Sequence, residues 1–250
     1  MNLIILEPGE IGEAGQVRLT GVRALHLLNV LKVEPGDSVR VALLDGPTGT
    51  GTVRGVSEAI VDLQCAFSTT IPPRPAVDLL LALPRPKVLR RLWAQLAALG
   101  VGRIMLTNAE RVERNYFDTH LLTPEVYRSL LIDGLQQARD TRLPIVSVHR
   151  RLKVFVEDEL DGLVEATARL VADPSASVSA GPVVREMPAG SRVLLAVGPE
   201  GGWNVFELDL LRAHRFQLIG LGPRTLRADT ACVSLLAVVH QAITEQQPRS

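Results

Sequence analysis

Two patterns of apolar residues divide the sequence. Over the first 70 residues, short stretches with alternating apolar and polar positions lie between turn-forming sequences, which predicts strands with one buried face. These predicted strands cover residues 16–19, 38–44, 51–56 and 59–66. A single helix is predicted over 22–31, because Leu25 and Leu28 fall on one helical face before the turn at Pro35. We expect this part of the chain to fold as a small β-barrel.

After the proline cluster at 71–75, the predicted strands are apolar throughout and alternate with helices. This pattern is typical of a parallel sheet covered on both faces, and therefore of an α/β fold. The strands are predicted at 77–83, 103–106, 145–148, 169–172, 193–197 and 216–221, and the clearest helices at 87–99, 123–138 and 231–244. The proline cluster is a stiff linker, so we predict two domains, 1–72 and 73–250.

Composition narrows the class of protein. The 27 basic residues balance the 27 acidic ones, which argues against a nonspecific nucleic-acid binder. Within Pro84 to Asn115, however, seven basic residues face two acidic ones, so the segment fits an anionic partner or an ordinary solvated helix face. The two cysteines lack metal-ligand spacing, and the apolar run 231–242 is too short to cross a bilayer. We expect a cytoplasmic protein with no metal and no membrane partner.

The most informative segment follows the apolar strand 193–197. Residues 198–202 read Gly-Pro-Glu-Gly-Gly, and Asn204 with Glu207 forms a capping-box pattern that starts a helix. A glycine loop at the carboxyl end of a buried strand lets a ligand approach the main chain. The loop matches neither a dinucleotide-binding fingerprint nor a P-loop, and the alternative is a tight turn without a ligand.

A second glycine-bearing loop follows the strand 216–221. It contains Gly222, Arg224, Arg227 and Asp229 before the last helix. Arginines at this spacing suit a phosphate or a developing oxyanion, although Arg227 could instead pair with Asp229 or cap the helix. We expect the two loops to meet at adjacent strand ends and to form one pocket.

Four segments carry a resemblance to a known family. They are GPEGGW at 198–203, LGPRTLRADTA at 221–231, KVLRRLWAQLAALGV at 87–101 and GLQQARDTRLP at 134–144. Together they resemble the RsmE family of 16S rRNA uridine-N3 methyltransferases, within the SPOUT superfamily. The segment HLLNVLKVEPGD at 26–37 looks like part of that family's PUA-like RNA-binding barrel.

The resemblance implies a methyltransferase that uses S-adenosyl-L-methionine and acts on 16S rRNA of the small ribosomal subunit. It also implies a deep trefoil knot in the C-terminal domain, a homodimer, and a cofactor held by three loops. The implied cofactor-binding residues are Ala172, Val197, Gly198, Pro199, Glu200, Gly201, Gly202, Leu221, Gly222, Leu226 and Thr230. The candidate RNA contacts are His26, Lys32, Arg85, Lys87, Arg90, Arg111 and Arg114.

Methyl transfer to uracil N3 requires loss of a weakly acidic imide proton. Arg224 and Arg227 are the candidates for holding the resulting negative charge, because cationic donors favour the deprotonated base. Asp229 or Glu200 could accept the proton, or could only order the loops. Trp203 could cover the cofactor or stack on a base, although packing is the commoner role. Cys232 is interpreted as a small core residue.

The chain departs from the family pattern at several positions. Ala98 and Gln136 stand where acids are usual, Asp229 replaces a glutamate and Lys32 an arginine. Two alternatives stay open: a catalytically silent RNA-binding or assembly factor with the same fold, and a SPOUT methyltransferase with another RNA target.

Overall fold

The computed structural model describes residues 3–166 and 168–246. The chain forms two compact units, and both are built from separate stretches of sequence. The first unit comprises the residues up to Arg74 together with Ile132–Leu143, and the second comprises Pro75–Leu131 and the chain from Pro144 onward. The predicted domain boundary at 72/73 lies close to the first division, whereas the segment 132–143 packs with the first unit.

The first unit contains a five-stranded sheet in the order β1-β3-β4-β5-β2. The strands are β1 (Ile4–Leu6), β2 (Gln16–Leu19), β3 (Ser38–Leu43), β4 (Thr48–Ser57) and β5 (Ile60–Phe67). Alternate residues of β2 and β5 are buried, as their alternating patterns predict. All four predicted strands are present, and β1 is an additional strand that pairs in parallel with β3.

A short helix follows β2, in the place where the sequence predicts one. The helix α1 spans Gly21–His26 and continues as a π-helical turn over Leu27–Leu31. Ala24 and Leu27 pack into the core of this unit, with Leu28 partly buried against it. Leu25 is 43% exposed, so the buried face differs from the predicted one.

The second unit contains a six-stranded parallel sheet, which confirms the predicted α/β fold. Its order is β11-β9-β10-β6-β7-β8. The strands are β6 (Val77–Ala82), β7 (Val101–Thr107), β8 (Ile145–His149), β9 (Ala168–Ala172), β10 (Val193–Val197) and β11 (Phe216–Ile219). Every residue of β6 and β10 is buried, as expected for central strands with both faces covered.

Helices connect these strands, and those predicted over 87–99 and 123–138 are present within one residue of their predicted bounds. They are α2 (Pro86–Ala98), α3 (Pro124–Ala138), α4 (Leu152–Val154), α5 (Leu160–Leu163), α6 (Ala180–Arg185), α7 (Val205–Ala213) and α8 (Ala228–Glu245). Gly100 ends α2 with a φ of 76°, the left-handed conformation that glycine adopts without strain. In α3, Leu131 and Leu135 are buried, whereas Ala138 is exposed. Among the described residues, no helix has both the length and the apolar character needed to span a bilayer.

Candidate functional site

The loop at the carboxyl end of β10 is a compact turn built on glycine. The Gly202 N–H donates to the Pro199 carbonyl at 2.8 Å, and Gly202 has a φ of 74°. A β-carbon at Gly198 would lie 3.0 Å from Trp203 Nε1, closer than side chains normally approach. The loop therefore packs against the Trp203 indole through a position that only glycine fits.

A buried carboxylate fixes this loop to α7 and to a neighbouring segment. The Asn204 side chain accepts the Glu207 N–H and the Glu207 side chain accepts the Asn204 N–H, both at 2.8 Å, so the predicted capping box is confirmed. Glu207 also accepts the Glu110 N–H at 2.7 Å. Because a buried carboxylate needs hydrogen-bond donors, Glu207 holds the chain after β7 against the start of α7.

At the start of the second loop, directly after β11, the main chain packs closely against the segment 176–178. The Gly220 N–H donates to the Val178 carbonyl at 2.8 Å, and a β-carbon at Gly220 would lie 2.6 Å from the Ala176 carbonyl oxygen. Gly222 follows with a φ of 94°. The Asp173 N–H donates to the Ile219 carbonyl at 3.0 Å, which joins the ends of β9 and β11.

Three loops enclose one cavity, here called the loop cavity. It has a volume of about 280 Å³, and five glycines and two prolines are among its lining residues. The lining residues are Arg111, 172–174, 197–203, 219–222, 224–226, Ala228, Ala231 and Leu235. Ligands of open α/β sheets bind at the carboxyl ends of strands, which is where these loops lie.

The sheet order corrects one expectation. The strands β10 and β11 are not adjacent, because β9 lies between them. The two glycine loops nevertheless line the same cavity, and the residues after β9, Asp173 and Pro174, supply the middle of its wall. Sequence order alone cannot reveal this, since the connection between two parallel strands can pass over a third.

Among the residues that line the loop cavity, Trp203 has a buried polar atom without a hydrogen-bond partner in the part of the chain that the structure describes. Its side chain is 4% exposed, and its Nε1 is buried with no hydrogen-bond partner within residues 3–166 and 168–246. Trp203 also lines the cavity. A buried N–H without an acceptor costs free energy, and this one lies beside Gly198 in the wall of the loop cavity.

A second pocket, here called the cationic cavity, has a volume of about 340 Å³. It is lined by Arg85, Lys87, Val88, Arg91, Glu200 and Arg227. Arg85 Nε lies 3.2 Å from a Glu200 carboxylate oxygen, and Arg91 lies 2.9 Å from an Asp229 carboxylate oxygen. Four cations therefore meet a single lining acid, Glu200, which also lines the loop cavity.

The two predicted catalytic arginines have different positions. Arg224 lines the loop cavity, and Arg227 lines the cationic cavity. Asp229 forms its ion pair with Arg91, so the alternative of an Arg227–Asp229 pair is wrong. Arg227 is the residue before the first turn of α8, but its side chain makes no capping hydrogen bond.

The structure brings ten of the eleven predicted cofactor residues into the loop cavity. The exception is Thr230, whose N–H donates to the Asp229 carboxylate at 2.9 Å. Of the candidate RNA contacts, Arg85 and Lys87 line the cationic cavity, whereas Arg90 and Arg114 are exposed outside both cavities. His26 and Lys32 belong to the first unit.

Arg111 is predicted as an RNA contact, but its position is inside the loop cavity. Its guanidinium donates to the main-chain carbonyls of Gly201 and Gly202. The sequence shows no signal for this contact, because 90 residues separate the partners. The role of Arg111 toward RNA stays a prediction.

The two thiols lie in protein cores. Cys232 is fully buried, and burial raises its pKa to about 12, which confirms its interpretation as a core residue rather than a nucleophile. Burial also raises the pKa of Cys65.

In the part of the chain that the structure describes, no group of three or more histidine, cysteine or acidic residues is placed to hold a metal ion.

Comparisons with known proteins agree with this geometry. A protein called ribosomal RNA small subunit methyltransferase E, from Treponema pallidum, is 28% identical over 246 residues, covering 96% of this chain and 90% of that protein. The crystal structure of the Neisseria gonorrhoeae enzyme of that name, bound to S-adenosyl methionine, has a TM-score of 0.75 at 20% identity. That match covers 96% of this chain and 97% of the other.

A methyltransferase structure from Legionella pneumophila, in complex with the cofactor S-adenosylmethionine, also has a TM-score of 0.75. It is 24% identical and covers 96% of this chain and 97% of its own. The family model of the RNA methyltransferase domain matches residues 72–240, which contain the parallel sheet and both cavities. The chain belongs to the RNA methyltransferase family defined by that domain.

Proposed function

We propose that this protein transfers the methyl group of S-adenosyl-L-methionine to N3 of a uridine in 16S rRNA of the small ribosomal subunit. The observation that carries the proposal is the loop cavity, formed by three loops at the carboxyl ends of β9, β10 and β11. The names of the relatives support the substrate, and two similar structures contain the same cofactor. The resemblance of the loop motifs supports N3 as the position of methylation.

The residues of the loop cavity fit this cofactor. Its volume is near the lower end of the range of ligand pockets, about 300 Å³. The glycines leave main chain exposed to a ligand, while Ile219, Leu226 and Leu235 add apolar surface for a nucleoside base. The unpaired Trp203 N–H provides a donor for a ring nitrogen or a hydroxyl oxygen. When bound, the cofactor supplies a methyl group on a sulfonium, which is already a good leaving group.

The protein must then hold the uracil in line and stabilise its deprotonated form. Arg224 at the loop cavity and Arg227 at the cationic cavity are our candidates for contacting uracil O2 and O4, where negative charge develops. Asp229 and Glu200 are already paired with Arg91 and Arg85. These pairs favour a role in ordering the loops over a role as the base that accepts the N3 proton.

The cationic cavity is suited to the RNA backbone next to the reacting base. Arg85, Lys87 and Arg91 surround it together with Arg227. Guanidinium and ammonium groups bind phosphate oxygens and position a nucleic acid without reading its sequence. Because Glu200 lines both cavities, we place the target nucleotide at that residue.

The finer features of the fold belong to the same proposal. After β11 the chain returns to α8, which packs on α6 and α2 and contacts β6 and β10. We keep the trefoil knot, which the resemblance implies, as a part of this proposal. Val205 and Phe206 at the start of α7 are 76% and 59% exposed, and they offer an apolar face for the second copy of a homodimer. We keep the PUA-like barrel and the cytoplasmic location as parts of this proposal.

Two measurements test the proposed function. Isothermal titration calorimetry should detect binding of S-adenosylmethionine and S-adenosylhomocysteine to the pure protein. Nucleoside analysis of 16S rRNA incubated with protein and cofactor should show N3-methyluridine. No binding at millimolar ligand would leave the catalytically silent RNA-binding factor as the better reading, and a different methylated nucleoside would point to another RNA target.

A further inference from the structure

Three polar side chains form a hydrogen-bonded chain at the edge of the parallel sheet, here called the edge cluster. His149 is the last residue of β8, and its Nε2 lies 2.9 Å from Ser147 Oγ. Its Nδ1 lies 3.1 Å from a carboxylate oxygen of Glu159. None of the three residues lines the loop cavity or the cationic cavity. The proposed methyl transfer therefore makes no use of the edge cluster.

Local structure brings the three side chains together. Ser147 and His149 are two residues apart on β8, so their side chains lie on the same face of the strand. Glu159 ends a π-helical turn over Phe155–Glu159, a rare conformation that is frequent at functional sites. The ring of Phe155 begins the same turn, and its centroid lies 3.7 Å from that of the imidazole. One turn thus contacts both the ring face and the Nδ1 edge of His149.

The two contacts of His149 determine which ring nitrogen carries the proton. An ionised carboxylate only accepts hydrogen bonds, so the contact with Glu159 requires a proton on Nδ1. The Nε2 of the neutral ring then accepts the Ser147 O–H. Burial lowers the pKa of His149, and the Glu159 carboxylate opposes this shift without cancelling it, so the ring is neutral at neutral pH. A neutral imidazole in this tautomer is a base placed on a serine hydroxyl.

The open edge of the sheet gives a substrate access to Ser147. β8 is the last strand in the sheet order, and Ser147 is partly exposed. The Asn108 N–H donates to the His149 carbonyl at 3.3 Å, so the main chain of His149 faces β7. Because main-chain groups alternate in direction along a strand, the Val148 N–H points to the open edge. The N–H of the residue after a nucleophilic serine is a common donor to an oxyanion.

We propose that the edge cluster is a separate hydrolytic site, which cleaves small carboxylic esters through an acyl-serine intermediate. Ile145 lies two residues before Ser147 on the same face and is 40% exposed, which favours a short apolar acyl group. Ser147 and His149 are the catalytic residues. Glu159 is a positioning residue that holds the imidazole with Nε2 toward Ser147.

The proposed reaction needs only an ester and water. Ser147 Oγ attacks the carbonyl carbon while His149 Nε2 takes the hydroxyl proton. That proton passes to the leaving alkoxide, which departs as an alcohol and leaves the acyl group on Ser147. Water then attacks the acyl carbon and gives a proton to His149. The proton returns to Ser147 Oγ as the carboxylic acid leaves, so the site is regenerated.

Hydrolysis of p-nitrophenyl acetate by the full chain, without RNA or cofactor, tests the two catalytic residues. Ser147→Ala and His149→Gln should each lower the rate about 10²-fold or more, since a positioned general base contributes at least that factor. Ser129→Ala and His120→Gln are the matched controls and should retain the parent rate. Ser129 Oγ donates to the Val126 carbonyl of its own helix, and His120 is exposed.

A fluorophosphonate probe followed by mass spectrometry locates the nucleophile independently. The probe reacts with serines that a neighbouring base activates, so the parent protein should carry the adduct on Ser147. His149→Gln should remain unlabelled, while His120→Gln should be labelled as the parent is. Thermal melting should give the same midpoint for each variant as for the parent, because the substitutions lie at a sheet edge.

The pH dependence of the rate tests the positioning role of Glu159. The carboxylate raises the pKa of His149 against the effect of burial, so Glu159→Gln should lower that pKa. The rate depends on the neutral ring, and its midpoint should therefore move to lower pH while the maximal rate falls about tenfold. An unchanged midpoint would contradict the positioning role.

A parent rate equal to that of buffer would overturn the proposal, as would an undiminished rate in Ser147→Ala or a probe adduct on another residue. An equal loss in Ser129→Ala would also overturn it. None of these assays contains S-adenosylmethionine or RNA. Failure of the edge cluster therefore leaves the proposed methyl transfer intact, and absent cofactor binding in calorimetry rejects only the methyl transfer.

Discussion

The loop cavity and the cationic cavity meet at Glu200, yet they are built from different parts of the polypeptide. Glycine main chain and apolar side chains form much of the first, whereas four long cationic side chains surround the second. The loop main chain is fixed by the Gly202–Pro199 and Gly220–Val178 hydrogen bonds, while arginine and lysine side chains can adjust to a partner. A rigid cavity suits a small ligand of constant structure, and adaptable cations suit a larger polyanion.

Because the two cavities differ in this way, substitutions in one should affect different measurable properties from substitutions in the other. Changes in the loop cavity should act through steric fit and should appear as a loss of cofactor affinity. Changes in the cationic cavity should act through charge and should appear in turnover or RNA affinity while cofactor affinity is kept.

Arg227→Ala should have the largest effect. The substitution removes a cation proposed to stabilise the deprotonated uracil, and loss of such a donor costs about 10²–10³ in turnover. Methyl transfer from labelled cofactor to 16S rRNA measures it, and calorimetry should show cofactor affinity close to that of the parent. Arg212→Ala is the control, because Arg212 pairs with Asp209 on its own helix and lines neither cavity. Comparable loss of cofactor binding in Arg227→Ala would remove the distinction between the cavities.

Gly198→Ala should weaken cofactor binding about tenfold or more. The added β-carbon would lie 3.0 Å from Trp203 Nε1, and overpacking of this kind costs about 1–3 kcal/mol. Calorimetry with S-adenosylhomocysteine gives the affinity. Gly162→Ala is the control, because a β-carbon there has no neighbour within 4 Å. An affinity equal to that of the parent would show that the loop is not a rigid wall.

Trp203→Phe should lower cofactor affinity about fivefold to tenfold, through loss of a hydrogen bond worth about 1 kcal/mol. Trp93→Phe is its counterpart, since the Trp93 Nε1 donates to the Leu121 carbonyl at 3.1 Å in the protein core. Chemical denaturation should show Trp93→Phe as the less stable variant, with cofactor affinity unchanged. If Trp203→Phe binds the cofactor like the parent, the unpaired indole N–H has a role other than ligand binding.

Asp229→Asn should reduce methylation less than about fivefold. Asparagine keeps an oxygen that can accept the Thr230 N–H and loses only the ion pair with Arg91, and partly exposed ion pairs contribute about 0–1 kcal/mol. Single-turnover methylation of 16S rRNA is the measurement. A loss above a hundredfold, with cofactor affinity intact, would instead identify Asp229 as the base.

The Cys232 thiol should not react with an alkylating reagent in the folded protein. With a pKa raised to about 12, its thiol stays protonated in the folded protein until strongly alkaline pH. Iodoacetamide at pH 8.5, followed by mass spectrometry, should leave Cys232 unmodified in the native protein and modify it in urea. Native labelling would mean that α8 opens behind the loop cavity.

Much of this architecture could be predicted from local sequence. Uniformly apolar stretches such as 193–197 identified the parallel sheet, and the Asn204–Glu207 spacing identified the start of α7. The strand β1 was missed, because three residues carry too little periodicity to distinguish a strand from a loop.

Contacts between residues that are far apart in the sequence could not be predicted from it. The ion pair between Arg91 and Asp229, the reach of Arg111 to the glycine loop and the second hydrogen bond of Glu207 all join residues about 90 or more positions apart. None has a local pattern, because each depends on how the strands are ordered. The same holds for the intervening position of β9, which decides that its following loop forms the middle of the loop cavity.

That strand order also determines when a binding-competent protein first exists during folding. β9 can be flanked on both sides only after the later strands β10 and β11 have been incorporated, and contacts between distant parts of a chain slow folding. The enclosed cavity therefore exists only once all three strands are in place. Ligand-dependent gain in thermal stability consequently reports the fully assembled population.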